Sequence, residues 1–319
     1  MKSTKTVQIV VNPCSGKRNG SRLLKLLNSG LKAMGYQTTI LVTEKQGDTL
    51  QWARNCKVPP DYLICVSGDD TLDELAYAAM LHHTPLIHFP TGFGNIIARE
   101  FGHQAAISSV LRLLEDGEKL DVDMAVRKNL DSNTEKYFLS VASYGLLDTV
   151  KHQVEHNMCS RPQSPRSLRY VLTAVKYFFS VYPLPSMTIE VDGKVIAEES
   201  AIALISNIPA YAGFLEVIPN ASPFDGLLDV CVIPNRSKWK VISCLFEILL
   251  HRPSVERRII RRRGKFVRVT FQPNTPFFSS DTLVTAQNSQ ETTETITIIP
   301  NAVPILSHKG RNFKEKYLS

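Results

Sequence analysis

Carboxylates are concentrated in one short stretch of the chain, SGDDTLDEL at 67–75, where Asp69 and Asp70 are adjacent and Asp73 follows one helical turn later. An apolar run, DYLICV, precedes this stretch, and a helical pattern, LAYAAML, follows the turn. A strand, a turn of small residues and a helix start form a common cradle for phosphate. Asp69 could hold a Mg²⁺ ion that accompanies the phosphate, and Thr71 could bond to the phosphate. The same residues equally suit a plain helix N-terminus, with Thr71 as its cap.

A second loop, VNPCSGKRNG at 11–20, combines small residues with two cations, Lys17 and Arg18. It follows the apolar run TVQIVV, so backbone N–H groups and the two cations could together hold a phosphate. The GxxxxGK[ST] spacing of a Walker A loop does not occur in this stretch. An ordinary surface turn is therefore an equally good interpretation.

A third loop, PTGFGNIIARE at 90–100, also begins where an apolar run ends. Gly92 and Gly94 permit close approach of the backbone to a ligand, and Asn95 can cap the helix that follows. Arg99, one turn into that helix, could face the same crevice or stay solvated. A lone GxG is weak evidence, but three loops at one edge of a parallel sheet would converge on one crevice.

The segments between these loops predict the sheet that positions them. Residues 5–125 alternate short β-rich runs with helical patterns, which indicates an open, mainly parallel sheet with right-handed crossovers. The predicted strands are TVQIVV, YQTTILVT, DYLICV and PLIHFP, and the predicted helices cover 21–34, 48–56, 71–82, 95–101 and 105–116. We therefore predict an N-terminal three-layer α/β domain with a parallel sheet.

From about residue 120 the strands follow one another instead, as VDMAVR, KYFLSVA, SMTIEVDGKVI, AIALISN, LLDVCVI, KFVRVTF and TITIIP. The Asp-Gly turn at 191–194 predicts a hairpin, and helices are predicted at 167–181 and 238–251. This pattern predicts a C-terminal, mainly antiparallel β-rich domain.

Composition limits the class of protein. The 319 residues are 43% hydrophobic and carry a formal net charge of +7, which suits two folded domains and an anionic partner. The six cysteines form no CxxC pair, so we predict reduced thiols in a cytoplasmic protein. Neither a signal peptide nor a window of ~18 apolar residues is found, so no transmembrane segment is predicted, and peripheral contact with a membrane stays open.

Two further segments lie in the predicted β-rich domain. In PNASPFDGLLDV at 219–230, Asp225 and Gly226 form a turn that could hold a hard cation such as Mg²⁺, or simply lead into the next strand. In RRIIRRRGKF at 257–266, a basic run with apolar insertions suits anionic lipid headgroups or a charged strand or loop face. No RNP, zinc-finger or helix-turn-helix pattern accompanies this run, so no nucleic-acid partner is predicted.

Together these motifs resemble the diacylglycerol kinase catalytic-domain family, which includes bacterial soluble lipid kinases, sphingosine kinases and ceramide kinases. The family pattern of NPxSGK, GGDGTLNE and PxGTGNxxAR is matched here by NPCSGK (12–17), SGDDTLDE (67–74) and PTGFGNIIAR (90–99). PNASPFDGLLDV matches a later family loop, and SYGLLDTV (143–150) is similar to the family's entry into its second domain. The motifs occur in the family's order across nearly the whole chain.

The resemblance implies phosphoryl transfer from ATP, with Mg²⁺, to the hydroxyl of a diacylglycerol- or sphingoid-like lipid. It implies an ATP-binding α/β domain at 1–122, completed by 300–319 as the last strand returns, and a β-rich lipid kinase domain at 123–299. The lipid would be met at a membrane surface by peripheral association. A homodimer is compatible with the sequence, which does not determine the oligomeric state.

The resemblance also implies which residues form the site. Nucleotide contacts fall on Asn12, Ser15, Gly16, Lys17, Thr43, Ser67, Gly68, Asp69, Asp70, Thr71, Gly92, Phe93, Gly94, Asn95 and Arg99. A structural Mg²⁺ site falls on Asp225 with the carbonyls of Ser222 and Leu227, and Asp121 matches a carboxylate linked to that site. Asp69 and Asp281 are the implied catalytic carboxylates.

Three positions depart from the family pattern. Asp70 replaces a glycine that lets the backbone close on phosphate, and Phe93 replaces a threonine that contacts phosphate. Leu283 stands where the family has a glutamate that acts as general base, and leucine cannot accept a proton. Two like charges ~4 Å apart cost ~4 kcal/mol at an effective dielectric of about 20. Asp70 must therefore be offset by a metal ion, or it weakens nucleotide binding.

These departures leave three interpretations open. In the first, Asp70 joins Asp69 in holding a cation and the protein is an active lipid kinase, because phosphoryl transfer depends mostly on positioning and electrostatics. In the second, the protein keeps the fold but is a catalytically degenerate lipid- or nucleotide-binding or regulatory protein. The third is an NAD-kinase-like enzyme, which shares a GGDGT-type loop, although the long PNASPFDGLLDV loop and the apolar second domain argue against it.

Overall fold

The computed structural model describes residues 4–13, 20–92, 94–145, 186–212, 215–234, 238–249, 258–272, 277–279, 282–284 and 292–309. Within these ranges, parallel strands near the N-terminus and antiparallel strands further along form one large mixed sheet. The predicted fold class, a parallel α/β unit followed by an antiparallel β-rich unit, is confirmed. The helix predicted at 167–181 lies outside the described residues.

The N-terminal unit is built on four parallel strands, β1 (Thr6–Val11), β2 (Gln37–Val42), β3 (Tyr62–Ser67) and β4 (Leu86–Pro90), in the order β2–β1–β3–β4. The helices between and after them are α1 (Gly20–Ala33), α2 (Asp48–Asn55), α3 (Asp69–His82), α4 (Ile96–Phe101) and α5 (Ile107–Asp116). α3 begins two residues earlier than its apolar pattern predicts. Asp69 and Asp70 therefore lie in its first turn rather than in the preceding loop.

Helices cover both faces of this sheet because its inner strands, β1 and β3, are apolar on both sides. On β1, Val7 and Ile9 belong to the core shared with α1 and α5, whereas Val10 belongs to the core shared with α2 and α3. On β3, Ile64 and Cys65 divide between the two cores in the same way. Burying a large apolar side chain contributes about 1.5–3 kcal/mol, so both cores hold the three layers together.

The β-rich unit starts after α5. Its elements in chain order are β5 (Glu118–Asn129), β6 (Thr134–Phe138), β7 (Val141–Gly145), β8 (Met187–Val191), β9 (Lys194–Ser206), β10 (Ala210–Ala212), β11 (Leu215–Ile218), β12 (Leu228–Pro234), α6 (Lys238–Leu249), β13 (Ile260–Gly264), β14 (Phe266–Phe271), β15 (Phe277–Ser279), β16 (Thr282–Val284) and β17 (Thr292–Ser307). The predicted hairpin joins β8 to β9, and the basic run at 257–266 supplies β13. None of the helices described here is both long and apolar enough to cross a membrane.

The last strand, β17, pairs with strands of both units. Its first half is antiparallel to β14, and near its end Ile305 pairs with Leu86 of the parallel strand β4. It also pairs with β5, with a register shift between Ile299 and Val303. Asn301 has left-handed backbone (φ 50°) at this irregularity, where a bulge bends a strand. The boundaries placed at 122 and 300 stay a prediction.

Asn207, which follows β9, connects three segments inside the sheet. Its buried Nδ2 donates to the carbonyl oxygens of Asp123 (2.8 Å) and Leu139 (3.1 Å). Its backbone N–H donates to the carbonyl oxygen of Ser140 at 2.9 Å. These bonds hold the end of β9 against β5 and against the turn between β6 and β7.

We expect Asn207→Ala to lower the free energy of unfolding by about 2–4 kcal/mol, because two buried carbonyl oxygens lose their donor. Urea denaturation measures this change, and an unchanged m-value would show that the same transition is being compared. Asn55→Ala is the matched control, since Asn55 Nδ2 donates to Gln51 O (2.9 Å) at an exposed site. A loss no larger than that of the control would contradict the role assigned to Asn207.

Candidate functional site

The start of α3 lies at the carboxyl end of β3. Gly68 is the N-cap residue in extended conformation (φ −92°, ψ −174°), and as a glycine it has no side chain with which to cap the helix. The first backbone N–H groups of a helix carry partial positive charge, which favours anions. Asp69 and Asp70 lie in the first turn, where the same dipole stabilises carboxylates. The helix start therefore combines positive backbone with negative side chains.

Side chains from β3 and from the end of β1 meet the first turn of α3. Ser67 Oγ donates to Thr71 Oγ1 at 2.9 Å, and Asn12 Nδ2 donates to the same oxygen at 3.3 Å. Thr43, just after β2, donates its N–H to Val11 O at 2.9 Å. The structure thus brings Asn12, Ser67 and Thr71 into one hydrogen-bonded group. Three residues predicted beside it lie outside the described residues: Ser15, Gly16 and Lys17.

Glycine is required where the loops after β3 and β4 touch. A Cβ on Gly92 would lie 2.6 Å from Gly68 Cα, which is closer than side chains permit. A Cβ on Gly94 would lie 3.1 Å from Asp69 Oδ2. The second and third predicted loops therefore form one continuous surface. Phe93 lies outside the described residues.

The Asp69 carboxylate holds the third loop against the start of α3. Its Oδ2 accepts the backbone N–H of Ile96, the first residue of α4, at 3.1 Å. The preceding Asn95 has left-handed backbone (φ 45°), and its Nδ2 donates to Gly92 O at 2.7 Å. One carboxylate in the first turn of α3 thus binds the N-terminus of α4, which places the two helix starts side by side. Arg99, one turn into α4, is exposed.

Two buried polar atoms of the third loop, Thr91 Oγ1 and Asn95 Oδ1, have no hydrogen-bond partner within the described ranges. The hydroxyl can donate or accept, and the amide oxygen can accept. Buried polar atoms in proteins are nearly always hydrogen-bonded, so two of them in one loop indicate a place where a ligand's polar groups would bind.

Two buried histidines, His88 on β4 and His103 after α4, link strands of the sheet. His88 Nε2 donates to Ser67 O at 3.0 Å, since a carbonyl oxygen can only accept. The His88 backbone N–H donates to His103 Nδ1 at 3.2 Å, so His103 Nε2 carries the hydrogen that it donates to Leu306 O at 2.6 Å. Burial lowers the pKa of His88 to about 4, so its ring is neutral at pH 7. The sequence does not predict this role of His88. The one hint in the sequence is that a polar residue interrupts the apolar run PLIHFP.

The loop at 219–227, where a Mg²⁺ site is predicted, forms an ion pair with an arginine side chain. Asp225 Oδ1 accepts the Leu227 N–H at 3.0 Å, and Asp225 Oδ2 forms an ion pair with the Arg263 guanidinium. Arg263 Nε lies 3.2 Å from Asp229 Oδ1. In the part of the chain that the structure describes, no group of three or more His, Cys, Asp or Glu side chains is placed to hold a metal ion.

Asp123, rather than Asp121, is the carboxylate that reaches this loop. Asp123 is fully buried and accepts the backbone N–H groups of Gly226 (2.7 Å) and Asn301 (2.8 Å). Burial raises the pKa of Asp123, and these two hydrogen bonds oppose the rise. Asp121 lies two residues earlier, is exposed, and pairs with Lys119 at 3.2 Å.

Of the three remaining predicted residues, the structure describes Ser222 and Leu283. Ser222 is buried, and its Oγ accepts the backbone N–H of Phe224 at 3.3 Å. Leu283 belongs to β16, where it pairs with Phe278 of β15. Asp281 lies outside the described residues.

Two family models match the chain. The model for the diacylglycerol kinase catalytic domain matches residues 6–126, which include all three loops of the surface described above. The model for the YegS C-terminal NAD kinase beta sandwich-like domain matches residues 140–307, more than half of the chain. The chain belongs to the diacylglycerol kinase catalytic-domain family.

Relatives and solved structures agree with this assignment. The diacylglycerol kinase of Staphylococcus epidermidis (strain ATCC 12228 / FDA PCI 1200) is 27% identical over 238 residues, which cover 72% of this chain and 70% of that protein. The diacylglycerol kinase of Staphylococcus aureus (strain MRSA252) is 28% identical with the same coverage. The crystal structure of a diacylglycerol kinase from Bacillus anthracis str. Sterne has a TM-score of 0.66 at 19% identity and covers 97% of this chain and 99% of that chain. A second crystal structure from that organism has a TM-score of 0.70 at 20% identity, with 97% of each chain covered. These likenesses establish the fold.

The neutral, buried ring of His88 makes stability depend on pH. Its pKa is about 4 in the folded protein against 6.5 ordinarily, so between these values only the unfolded chain binds the proton. The contribution is fully present above pH 6.5 and is lost as the pH falls to about 4, a change of about 3 kcal/mol. Urea denaturation from pH 7 to pH 4.5 should therefore show a steeper loss for wild type than for His88→Gln.

His82→Gln is the control for this pH series. His82 is only half-buried, and its Nε2 lies 2.9 Å from Ala53 O. A profile flattened equally in this variant would show that the effect is not specific to His88. Parallel profiles for wild type and His88→Gln would show that His88 does not cause the loss at low pH.

Proposed function

We propose that this protein is a lipid kinase that transfers a phosphoryl group from Mg-ATP to the hydroxyl of a diacylglycerol- or sphingoid-like lipid. The observation that carries the proposal is the contact between Gly68 and Gly92 at the N-terminus of α3, in a chain of the diacylglycerol kinase catalytic-domain family. Family membership supports a kinase-type enzyme, and the staphylococcal relatives bear the name diacylglycerol kinase.

The proposed nucleotide site is the surface formed by the loops after β1, β3 and β4. Phosphate oxygens would accept backbone N–H groups at the start of α3. The Thr91 hydroxyl and the Asn95 amide oxygen would supply polar contacts, because both are buried without a partner in the described ranges. Further nucleotide contacts are proposed from the family pattern at Asn12, Ser15, Gly16, Lys17, Thr43, Ser67, Thr71, Phe93, Gly94 and Arg99.

The acidic first turn of α3 fits a Mg²⁺ ion that arrives with the nucleotide. Asp69 uses one oxygen to accept the Ile96 N–H, and Asp70 is exposed beside it. Mg²⁺ is commonly held by one or two carboxylates together with phosphate oxygens and water. When bound, the ion supplies positive charge that neutralises the phosphates and the carboxylates together. Asp70 is compatible with nucleotide binding in this arrangement.

On the acceptor side, we propose slow transfer. Leu283 replaces the family's general base. A positioned base typically raises the reaction rate by a factor of about 10²–10⁴. Phosphoryl transfer nevertheless depends mainly on positioning and electrostatics, which the nucleotide surface supplies. Asp281 is the proposed carboxylate near the acceptor hydroxyl.

Contact with a membrane would bring the lipid within reach. Trp239, near the start of α6, is 69% exposed, and Arg258, just before β13, is also exposed. Arg258 Nη1 donates to Ser243 Oγ at 2.8 Å, one helical turn after Trp239, so α6 and the start of β13 present these groups together. Tryptophan and arginine suit the headgroup region of an anionic membrane. We therefore propose peripheral association through this face.

The second candidate function is a non-catalytic lipid- or nucleotide-binding protein. The loss of the base at Leu283 and the extra charge at Asp70 favour it. An NAD-kinase-like enzyme is a weaker candidate: the C-terminal family model is named after that β-sandwich, but the N-terminal model is that of a diacylglycerol kinase.

Purified protein incubated with Mg-ATP and anionic vesicles that contain diacylglycerol or sphingosine tests the activity, with phosphorylated lipid measured by mass spectrometry. Leu283→Glu is expected to raise kcat about tenfold or more with an unchanged KM for ATP, because it restores a base that acts in the transition state. Val284→Glu, which adds the same carboxylate at the next residue of the strand, is the matched control and should not gain activity. No product from either wild type or Leu283→Glu at saturating Mg-ATP would favour the non-catalytic function.

Asp70→Gly tests whether Asp70 acts through the metal ion. By calorimetry, we expect the Kd of Mg-ATP to rise about tenfold and the Kd of metal-free ATP to fall, because the variant removes a metal partner and a repulsive charge at once. Asp131→Gly, in the exposed turn after β5, is the control. Tighter binding of both forms would identify Asp70 as an obstacle to nucleotide binding and support the degenerate interpretation.

A further inference from the structure

The family resemblance implies a structural Mg²⁺ ion in the loop at 219–227. The carboxylate of Asp225 in this loop is instead bonded to donor groups of the protein. Mg²⁺ is held by oxygen ligands and water in octahedral geometry. Here both oxygens of Asp225 contact donors of the protein, the Leu227 N–H at 3.0 Å and the Arg263 guanidinium. The residues present therefore do not fit a divalent cation at Asp225.

Strand pairing sets the position of Arg263. β13 pairs with β12 so that Arg263 lies directly opposite Asp229. Arg263 Nε lies 3.2 Å from Asp229 Oδ1, while its terminal nitrogen contacts Asp225. The guanidinium thus bridges one carboxylate of the loop and one of the adjoining strand, a geometry that its planar set of donors suits.

These two carboxylates need a nearby cation. The side chains of Asp225 and Asp229 are 21% and 11% exposed, whereas Arg263 is 46% exposed. Two partly buried carboxylates that share one guanidinium would repel each other without it. A Mg²⁺ ion at Asp225 would have to displace the guanidinium, because two cations on one carboxylate repel each other.

We propose that Arg263 replaces the structural divalent cation in this chain, so that the loop at 219–227 closes without metal. Other contacts of the loop are made with the protein itself. Gly226 N–H donates to Asp123 Oδ2 at 2.7 Å, and the Phe224 ring packs edge-on against Phe101 of α4 with 6.4 Å between centroids. The loop is thereby attached to β5 and to the helix that follows the proposed nucleotide surface.

Thermal unfolding of the full chain without nucleotide, in EDTA and in millimolar Mg²⁺, tests this proposal. Wild type is expected to unfold at the same temperature in both. Arg263→Ala is expected to lose about 5 °C in EDTA and to regain part of it in Mg²⁺, because Asp225 and Asp229 then lack their cation. Arg262→Ala, on the opposite face of β13, is the matched control and should show neither effect.

Asp225→Asn identifies where any effect of Mg²⁺ arises. A wild-type unfolding temperature that rises with Mg²⁺, with the rise abolished in Asp225→Asn, would overturn the proposal, because the loop would then bind the ion despite Arg263. A rise that Asp225→Asn retains comes from elsewhere and agrees with the proposal. If Arg263→Ala does not fold, the wild-type and Asp225→Asn comparison alone decides. These readouts use neither ATP nor lipid, so their failure is distinct from failure of the lipid kinase proposal.

Discussion

The buried carboxylate of Asp123 connects parts of the molecule that are far apart in sequence. It lies on β5 and accepts backbone N–H groups from Gly226, in the loop at 219–227, and from Asn301, at the bend of β17. A buried carboxylate is costly unless hydrogen-bonded, so both donors must stay in place. Asn207 donates to the carbonyl oxygen of the same residue and joins the end of β9 to it. The bend of the last strand and the position of the loop therefore depend on one side chain, and the end of β9 is bonded to the backbone of the same residue.

The two sides of the candidate site are constrained by different physics. On the nucleotide side, backbone geometry dominates: a glycine contact joins two loops, and Asp69 binds the start of α4, which leaves little freedom for the loops to separate. On the acceptor side, the proposal of slow transfer depends on one position, Leu283, where the family pattern has a general base. A chain can therefore keep a nucleotide surface intact while its turnover changes through a single position. This separation is why family membership alone does not establish activity.

Features that are set by local sequence patterns can be predicted from the sequence. Strands β1–β4 form where apolar runs alternate with helical patterns, and their loops converge because parallel strands end at one edge. Long-range pairing defeats the prediction elsewhere: local rules end the last strand at Pro300, yet it continues to Ser307 because β5 and β4 pair with it. The burial of His88 depends on which helices cover its strand. The role of Arg263 depends on the register that places it opposite Asp229, which a run of arginines does not reveal.

The pairing of β17 with both units also bears on how the chain folds during synthesis. Strands β1–β4 and their helices are made early, but the outer edge of β4 has no strand beside it until Ile305 has been added. β5 pairs with the same strand along nearly its whole length, so that edge of β5 is also unpaired until β17 has been made. Unpaired strand edges expose N–H and C=O groups that pair readily with other chains, so the growing polypeptide carries an aggregation-prone edge until β17 has been made. β17 then pairs with β4, β5 and β14, so one strand completes the pairing of both units.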